Sequence, residues 1–184
     1  MQRRPTIRAT RITRRAGAVA AALSLLGAPA AIAGAAPASA APYCGITWGS
    51  TGQAVGDLQS GTVTGVRAGQ QACYDRLVID VTGDPTGYDV RYVSTVYADG
   101  SGLPVPVAGG ARLAVVAKKG ATYLPAMPSV SGYSTFRQVR WAGSFEGRTT
   151  LALGVRARLP LRAFVLYDAA TDRGRLIVDV AHSW

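Results

Sequence analysis

Histidine and glutamate each occur once in this chain of 184 residues, and cysteine and methionine twice each. That scarcity removes most routes to catalysis. A Ser-His-Asp relay needs an imidazole beside an activated serine. The single histidine, His182, lies near the C-terminus, and Ser144, within Ala142-Gly143-Ser144-Phe145-Glu146, lacks the Gly-x-Ser-x-Gly elbow. His182 therefore reads as a strand-end residue with a structural hydrogen bond. Without Cys-x-x-Cys spacing or a histidine cluster, no metal site and no cofactor are expected. Glycan hydrolysis needs two convergent carboxyl groups, and Glu146 would have to find its partner among nine aspartates. Asp99-Gly100-Ser101-Gly102, and Asp168 with Asp172, look like turns and lack the dense oxygen spacing of a calcium loop. No catalytic residue is assigned, and an unrecognised hydrolase stands as the remotest alternative.

Acidic residues are absent from the first forty positions, where Arg3, Arg4, Arg8, Arg11, Arg14 and Arg15 precede an Ala-rich apolar stretch from Ala16 to about Gly34. Ala38-Ser39-Ala40 supplies the small-residue exit that completes a secretory signal. The sequence thus predicts a cleavable signal over 1–40 and one domain over 41–184. Gly27, Pro29 and Gly34 interrupt the apolar stretch, so no stable membrane span is expected after cleavage. The apolar residues expected after a twin-arginine pair do not follow Arg14-Arg15, which favours the general secretory route. Ala41-Pro42-Tyr43 before Cys44 is not a lipobox. The expected location is extracytoplasmic, at the cell envelope or beyond it.

Basic runs are missing from the rest of the chain. Six of the twenty basic residues belong to the leader, which leaves fourteen against ten acidic residues, a net of +4. That is an ordinary charge for a soluble domain, so nucleic acid is not an expected partner. Cys44 and Cys73 are the only cysteines, and export favours a disulfide between them; two buried thiols or a partial metal site are the alternatives.

Sustained helical periodicity is also missing. Short β-prone segments recur between turn signals: Ile46–Trp48, Val63–Arg67, Arg76–Val81, Tyr88–Tyr97, Arg112–Ala117, Thr149–Arg156, Leu161–Tyr167 and Arg175–Val180. Only Thr135 to Phe145 leaves room for a helical turn. The pattern predicts an all-β, single-domain sandwich with few or no helices. Arg76-Leu77-Val78-Ile79-Asp80-Val81 is echoed by Arg175-Leu176-Ile177-Val178-Asp179-Val180. In each copy alternate residues make one wholly apolar face, and the other face carries an Arg and an Asp. The echo suggests two pseudo-symmetric halves, with Arg76, Asp80, Arg175 and Asp179 in structural ion pairs.

Taken together, Cys44-Gly45-Ile46-Thr47-Trp48-Gly49-Ser50, Cys73 to Val78, Gly87 to Val93, Asp99 to Gly102, Thr135 to Val139, Trp141 to Gly147, Leu153 to Pro160 and Val178 to His182 resemble the AMIN-like domain of actinobacterial secreted proteins. The resemblance spans nearly all of residues 41–184. It implies kinship with AMIN domains, β-sandwiches found beside cell-wall amidases and secretin channels, and hence a non-catalytic envelope module that binds peptidoglycan or another wall polymer. No amidase or channel segment accompanies it in this sequence. A protein-interaction module, an accessory subunit or inhibitor of an exported enzyme, is the alternative.

The densest chemistry along the chain lies between Phe136 and Arg162. Arg137, Gln138, Trp141, Glu146, Arg156 and Arg158 are the candidate binding residues, because an aromatic ring can stack on a sugar while Arg and Gln donate to hydroxyl and carboxylate groups. A buried Trp141 plugging one end of the sandwich is the competing reading.

Overall fold

Strict apolar alternation decides which face of each strand turns inward. Leu77, Ile79 and Val81 share one side of their strand, Leu176, Val178 and Val180 of another, and Leu151, Leu153 and Val155 of a third; all nine are at most 3% exposed. Burying such a side chain contributes roughly 1.5–3 kcal/mol, so these stripes fix the strand faces. The computed structural model describes residues 42–184; the expected leader lies outside the described residues.

Among the described residues eleven strands form: β1 (Gln53–Val55), β2 (Val63–Gln70), β3 (Tyr74–Thr82), β4 (Tyr88–Val93), β5 (Val96–Tyr97), β6 (Pro104–Val105), β7 (Ala111–Ala117), β8 (Phe136–Phe145), β9 (Arg148–Val155), β10 (Leu161–Asp168) and β11 (Arg173–Ala181). They make a five-stranded sheet ordered β1-β4-β7-β9-β8, a four-stranded sheet ordered β10-β11-β3-β2 and a small β5-β6 hairpin. Every named strand pair is antiparallel. The two larger sheets enclose one apolar core that draws on both, as expected of a sandwich.

Three local expectations change. Ile46–Trp48 is not a strand; the segment touches the sheet only where Gly49 bridges Leu161. Thr135 to Phe145 holds no helical turn but the ten-residue strand β8. The echo strands β3 and β11 do not sit in separate halves. They are neighbours in one sheet, paired with Arg76 opposite Asp179, Val78 opposite Ile177 and Asp80 opposite Arg175. The repetition is therefore a local two-fold within one sheet. Of its expected ion pairs only Arg76–Asp179 forms, across strands, while Asp80 pairs with Arg67, and Arg175 has no carboxylate at ion-pair distance among the described residues.

The outward faces of the two sheets differ. On the five-stranded sheet Ala114, Ala142 and Ala152 are small enough for Val96 and Val107 to pack over them as a minor second core. Gly154 carries this economy furthest: a Cβ there would lie 1.8 Å from the Ala108 carbonyl oxygen. On the four-stranded sheet the outward residues include the large Arg67, Arg76, Arg162, Phe164 and Arg175, and among the described residues no hairpin folds over them as β5-β6 does on the other sheet.

Candidate functional site

The six candidates from the Phe136–Arg162 segment do not converge. Arg137 donates to the carbonyls of Tyr133 (2.8 Å), Phe136 (2.9 Å) and Ser134 (3.3 Å), holding the loop into β8. Gln138 accepts the Ala108 N–H at 2.9 Å, and Arg156 donates to the His182 carbonyl. The Arg158 guanidinium lies 5.0 Å from the Tyr92 ring centre. Trp141 is half-buried and packs against the main core. Glu146 occupies a left-handed position (φ 47°) in the β8–β9 turn, at the far end of the hairpin from Arg137 and Arg156. Most of this group secures loops to the sandwich.

His182 pairs with the fully buried Asp75, whose carboxylate lies 2.9 Å from Nε2 and accepts the N–H groups of Thr135 (2.6 Å) and Phe136 (2.8 Å). Ser144 is occupied elsewhere, accepting the Ala121 N–H at 2.8 Å and donating to the Arg148 carbonyl at 3.0 Å. Among the described residues no group of three or more His, Cys, Asp or Glu is placed to hold a metal ion.

Chemistry gathers instead on the outward face of the four-stranded sheet. Pairing sets its outward residues in three rows from β2 across β3 and β11 to β10: Gly69, Arg76, Asp179, Arg162; then Arg67, Val78, Ile177, Phe164; then Gly65, Asp80, Arg175, Leu166. In the first row Asp179 is 0% exposed although it is on the solvent side. A buried carboxylate is costly unless paired and hydrogen-bonded, and two arginines cover this one. Arg76 binds it through two nitrogens at 2.7 and 2.9 Å, and Arg162 adds bonds at 2.9 and 2.8 Å. The hydrogen bond to Asp179 raises the Arg76 pKa above its ordinary value against the opposing effect of burial.

Aromatic rings hold both guanidiniums in place. Arg76 lies 5.2 Å from the Tyr74 ring centre and 5.6 Å from that of Phe164; Arg162 lies 5.2 Å from Phe164 and 5.5 Å from both Trp48 and Tyr74. Trp48 reaches this place through a covalent staple. Cys44 and Cys73 form a disulfide, which ties the segment carrying Trp48 to the residue just before β3. There Trp48 meets Tyr74 edge-on at 5.8 Å and donates its indole N–H to the Tyr43 carbonyl at 2.9 Å. Closing a loop of 29 residues in sequence stabilises the fold by roughly 3–4 kcal/mol in the chain-entropy model.

The third row is open. Asp80 takes a bidentate bond from Arg67 at 2.6 and 2.7 Å, with 28% of the Asp80 side chain and 59% of the Arg67 side chain exposed. This bond raises the Arg67 pKa, partly offset by desolvation. Arg175 faces Asp80 in register but does not bind it, and among the described residues neither Arg173 nor Arg175 has a carboxylate within ion-pair distance. These arginines line a groove of about 740 Å³ together with Arg67, Gly65 and two carboxylates, Asp80 and Asp168. Asp168 is held below its ordinary pKa first by its hydrogen bond to Thr171, with a smaller contribution from the Arg175 charge. Sequence reasoning missed Arg67, Arg162 and Trp48 as partners of the echo strands. The alternating Arg and Asp of the echo were the only signal for this face.

Fold and site together define an antiparallel β-sandwich, stapled by one disulfide, with one closed and one open sheet face. The AMIN-like domain matches residues 61–182, and the chain belongs to the AMIN-like domain family. Comparison with curated proteins and with solved structures yields no match.

Proposed function

We infer that this protein is an exported, non-enzymatic module of the cell envelope that binds peptidoglycan or another anionic wall polymer through the outward face of its four-stranded sheet. The observation that carries this reading is the set of exposed arginines, Arg67, Arg173 and Arg175, on the same face as the aromatic cluster. Guanidiniums recognise carboxylates and phosphates in a planar, directional way, and wall polymers carry such groups at high density. Membership of the AMIN-like family, the disulfide and the signal pattern in residues 1–40 support an extracytoplasmic location reached by the general secretory route. No helix among the described residues is long and apolar enough to cross a membrane.

The test is co-sedimentation of the purified protein with insoluble sacculi at low and at physiological salt. Pelleting that weakens as salt rises is expected, because exposed charge pairs are screened. Absence of pelleting at both salts would overturn the reading. One observation favours a second reading, a protein-interaction module. β10 is an edge strand on which Leu166 and Tyr167 are each 46% exposed, and such edges accept strands from partners. A protein captured from the envelope fraction by the wild type, and lost when Leu166 is changed to Lys, would support it.

A further inference from the structure

The local two-fold between β3 and β11 places Arg76 in correspondence with Arg175 and Asp179 with Asp80. On this mapping the two stations ought to be alike, and they are not. Asp179 has Arg162 directly across from it on β10, whereas the place across from Asp80 on β2 is held by Gly65. A Cβ at Gly65 would lie 3.4 Å from the Asp80 carboxylate, an ordinary contact, so the glycine is not forced by crowding. Its effect is to leave the row open. Asp80 then draws Arg67 diagonally from the neighbouring row, and Arg175 is left without the carboxylate that its counterpart Arg76 holds.

We propose that this station is completed from outside: an oxoanion group of the ligand, a carboxylate or a phosphate, binds Arg175 and Arg173 in the groove floored by Gly65, as Asp179 is bound by Arg76 and Arg162. The proposal rests on the envelope reading and supplies its contact residues. Three features carry it. Arg175 and Arg173 are exposed cations with no ion-pair partner among the described residues. The groove has room for a polymer segment. A carboxylate held by two arginines, Asp179, already exists on the same sheet face, which shows that this surface supports such a geometry. Asp80 acts as a competitor, since it occupies Arg67, the third guanidinium at the groove. Arg76 and Arg162 are left out of ligand binding because their donors are committed to Asp179.

Two soluble probes separate the sources of the oxoanion: disaccharide-peptides released from peptidoglycan, which carry carboxylates, and glycerol-phosphate oligomers. Binding of each is measured by calorimetry alongside sacculus pelleting. The wild type binds at least one probe; Arg175→Gln weakens that binding about tenfold, the loss of a charge-assisted bond. Asp80→Asn strengthens it several-fold by releasing Arg67, an opposite sign that general damage to the fold would not produce. Near-unchanged thermal unfolding of Arg175→Gln serves as the control, because the side chain makes no close ion pair among the described residues and only its charge reaches Asp168. If the wild type binds a probe and Arg175→Gln binds it equally well, the groove is not the site and the envelope reading survives. If the wild type pellets with sacculi but binds neither probe, the oxoanion assignment fails alone. If it neither pellets nor binds, both fail.

Discussion

The outward faces of the two sheets were built by opposite choices of side chain. On the five-stranded sheet, alanines and Gly154 let the chain lay its own loop and hairpin against the strands, so that face is spent on stability. On the four-stranded sheet, arginines, aspartates and Phe164 stand outward, and among the described residues no hairpin lies over them. A face carrying guanidiniums costs little while it meets water, and it offers directional donors to whatever displaces that water. The contrast supports the proposed place of recognition, the face that no hairpin covers among the described residues. The open face has its own internal contrast, between a station closed on Asp179 and one left open at Asp80.

Removing Asp179 should break the closed station with the largest effect. Asp179→Ala leaves two neighbouring guanidiniums without their shared carboxylate and should cost about 3 kcal/mol or more in urea unfolding, the range for breaking a buried pair. Gly154→Val attacks the covered face. Its first side-chain atom meets backbone, so the loop around Ala108 must lift, at a cost of about 1–3 kcal/mol. Hydrogen exchange should then quicken at Ala98, whose N–H bonds the Leu103 carbonyl, while the arginine face is undisturbed.

A third carboxylate sharpens the contrast through pH. Asp99, beside the covered face, has one carboxylate oxygen, Oδ2, buried without a hydrogen-bond partner. Burial raises its pKa above 3.8, opposed by bonding to Thr150 and the charge of Arg148. A raised folded-state pKa means that the native state binds the proton more tightly than the unfolded chain. This group therefore favours folding below the unfolded-state pKa, and that contribution is lost as pH rises through the folded-state value. Asp99→Asn should stabilise the protein at pH 7 by up to about 1 kcal/mol, and thermal unfolding at pH 3 should show that gain gone. The smallest effect belongs to the open station. Asp80→Ala breaks an exposed pair and should change stability by less than about 1 kcal/mol; an effect equal to that of Asp179→Ala would erase the distinction between the two stations.

The strands were legible because alternation is local. Leu77, Ile79 and Val81 declare a core face without reference to any other segment, and so do Leu176, Val178 and Val180. Register was not legible, because nothing in one strand announces which other strand lies beside it. The echo accordingly suggested two halves, when its copies are neighbours. Trp141 shows a second limit. Plain alternation would set it on the opposite face from Phe136, but the irregularity between Phe136 and Gln138 shifts the register, and Trp141 comes to rest against the core. Density of arginine along the chain does not make one surface for a related reason: one strand sends successive residues to opposite faces, whereas the surface proposed for recognition takes Arg67 from β2 and Arg173 and Arg175 from β11.

The central claim, that recognition occurs on the uncovered four-stranded face, is tested most directly by amide and arginine side-chain NMR during titration with soluble peptidoglycan fragments. The account predicts shifts concentrated at Arg67, Asp80, Arg173 and Arg175, fading toward Arg76 and Asp179 and absent at Ala114, Ala142 and Ala152. Shifts centred on those alanines and the β5-β6 hairpin, with the arginine rows unmoved, would contradict it.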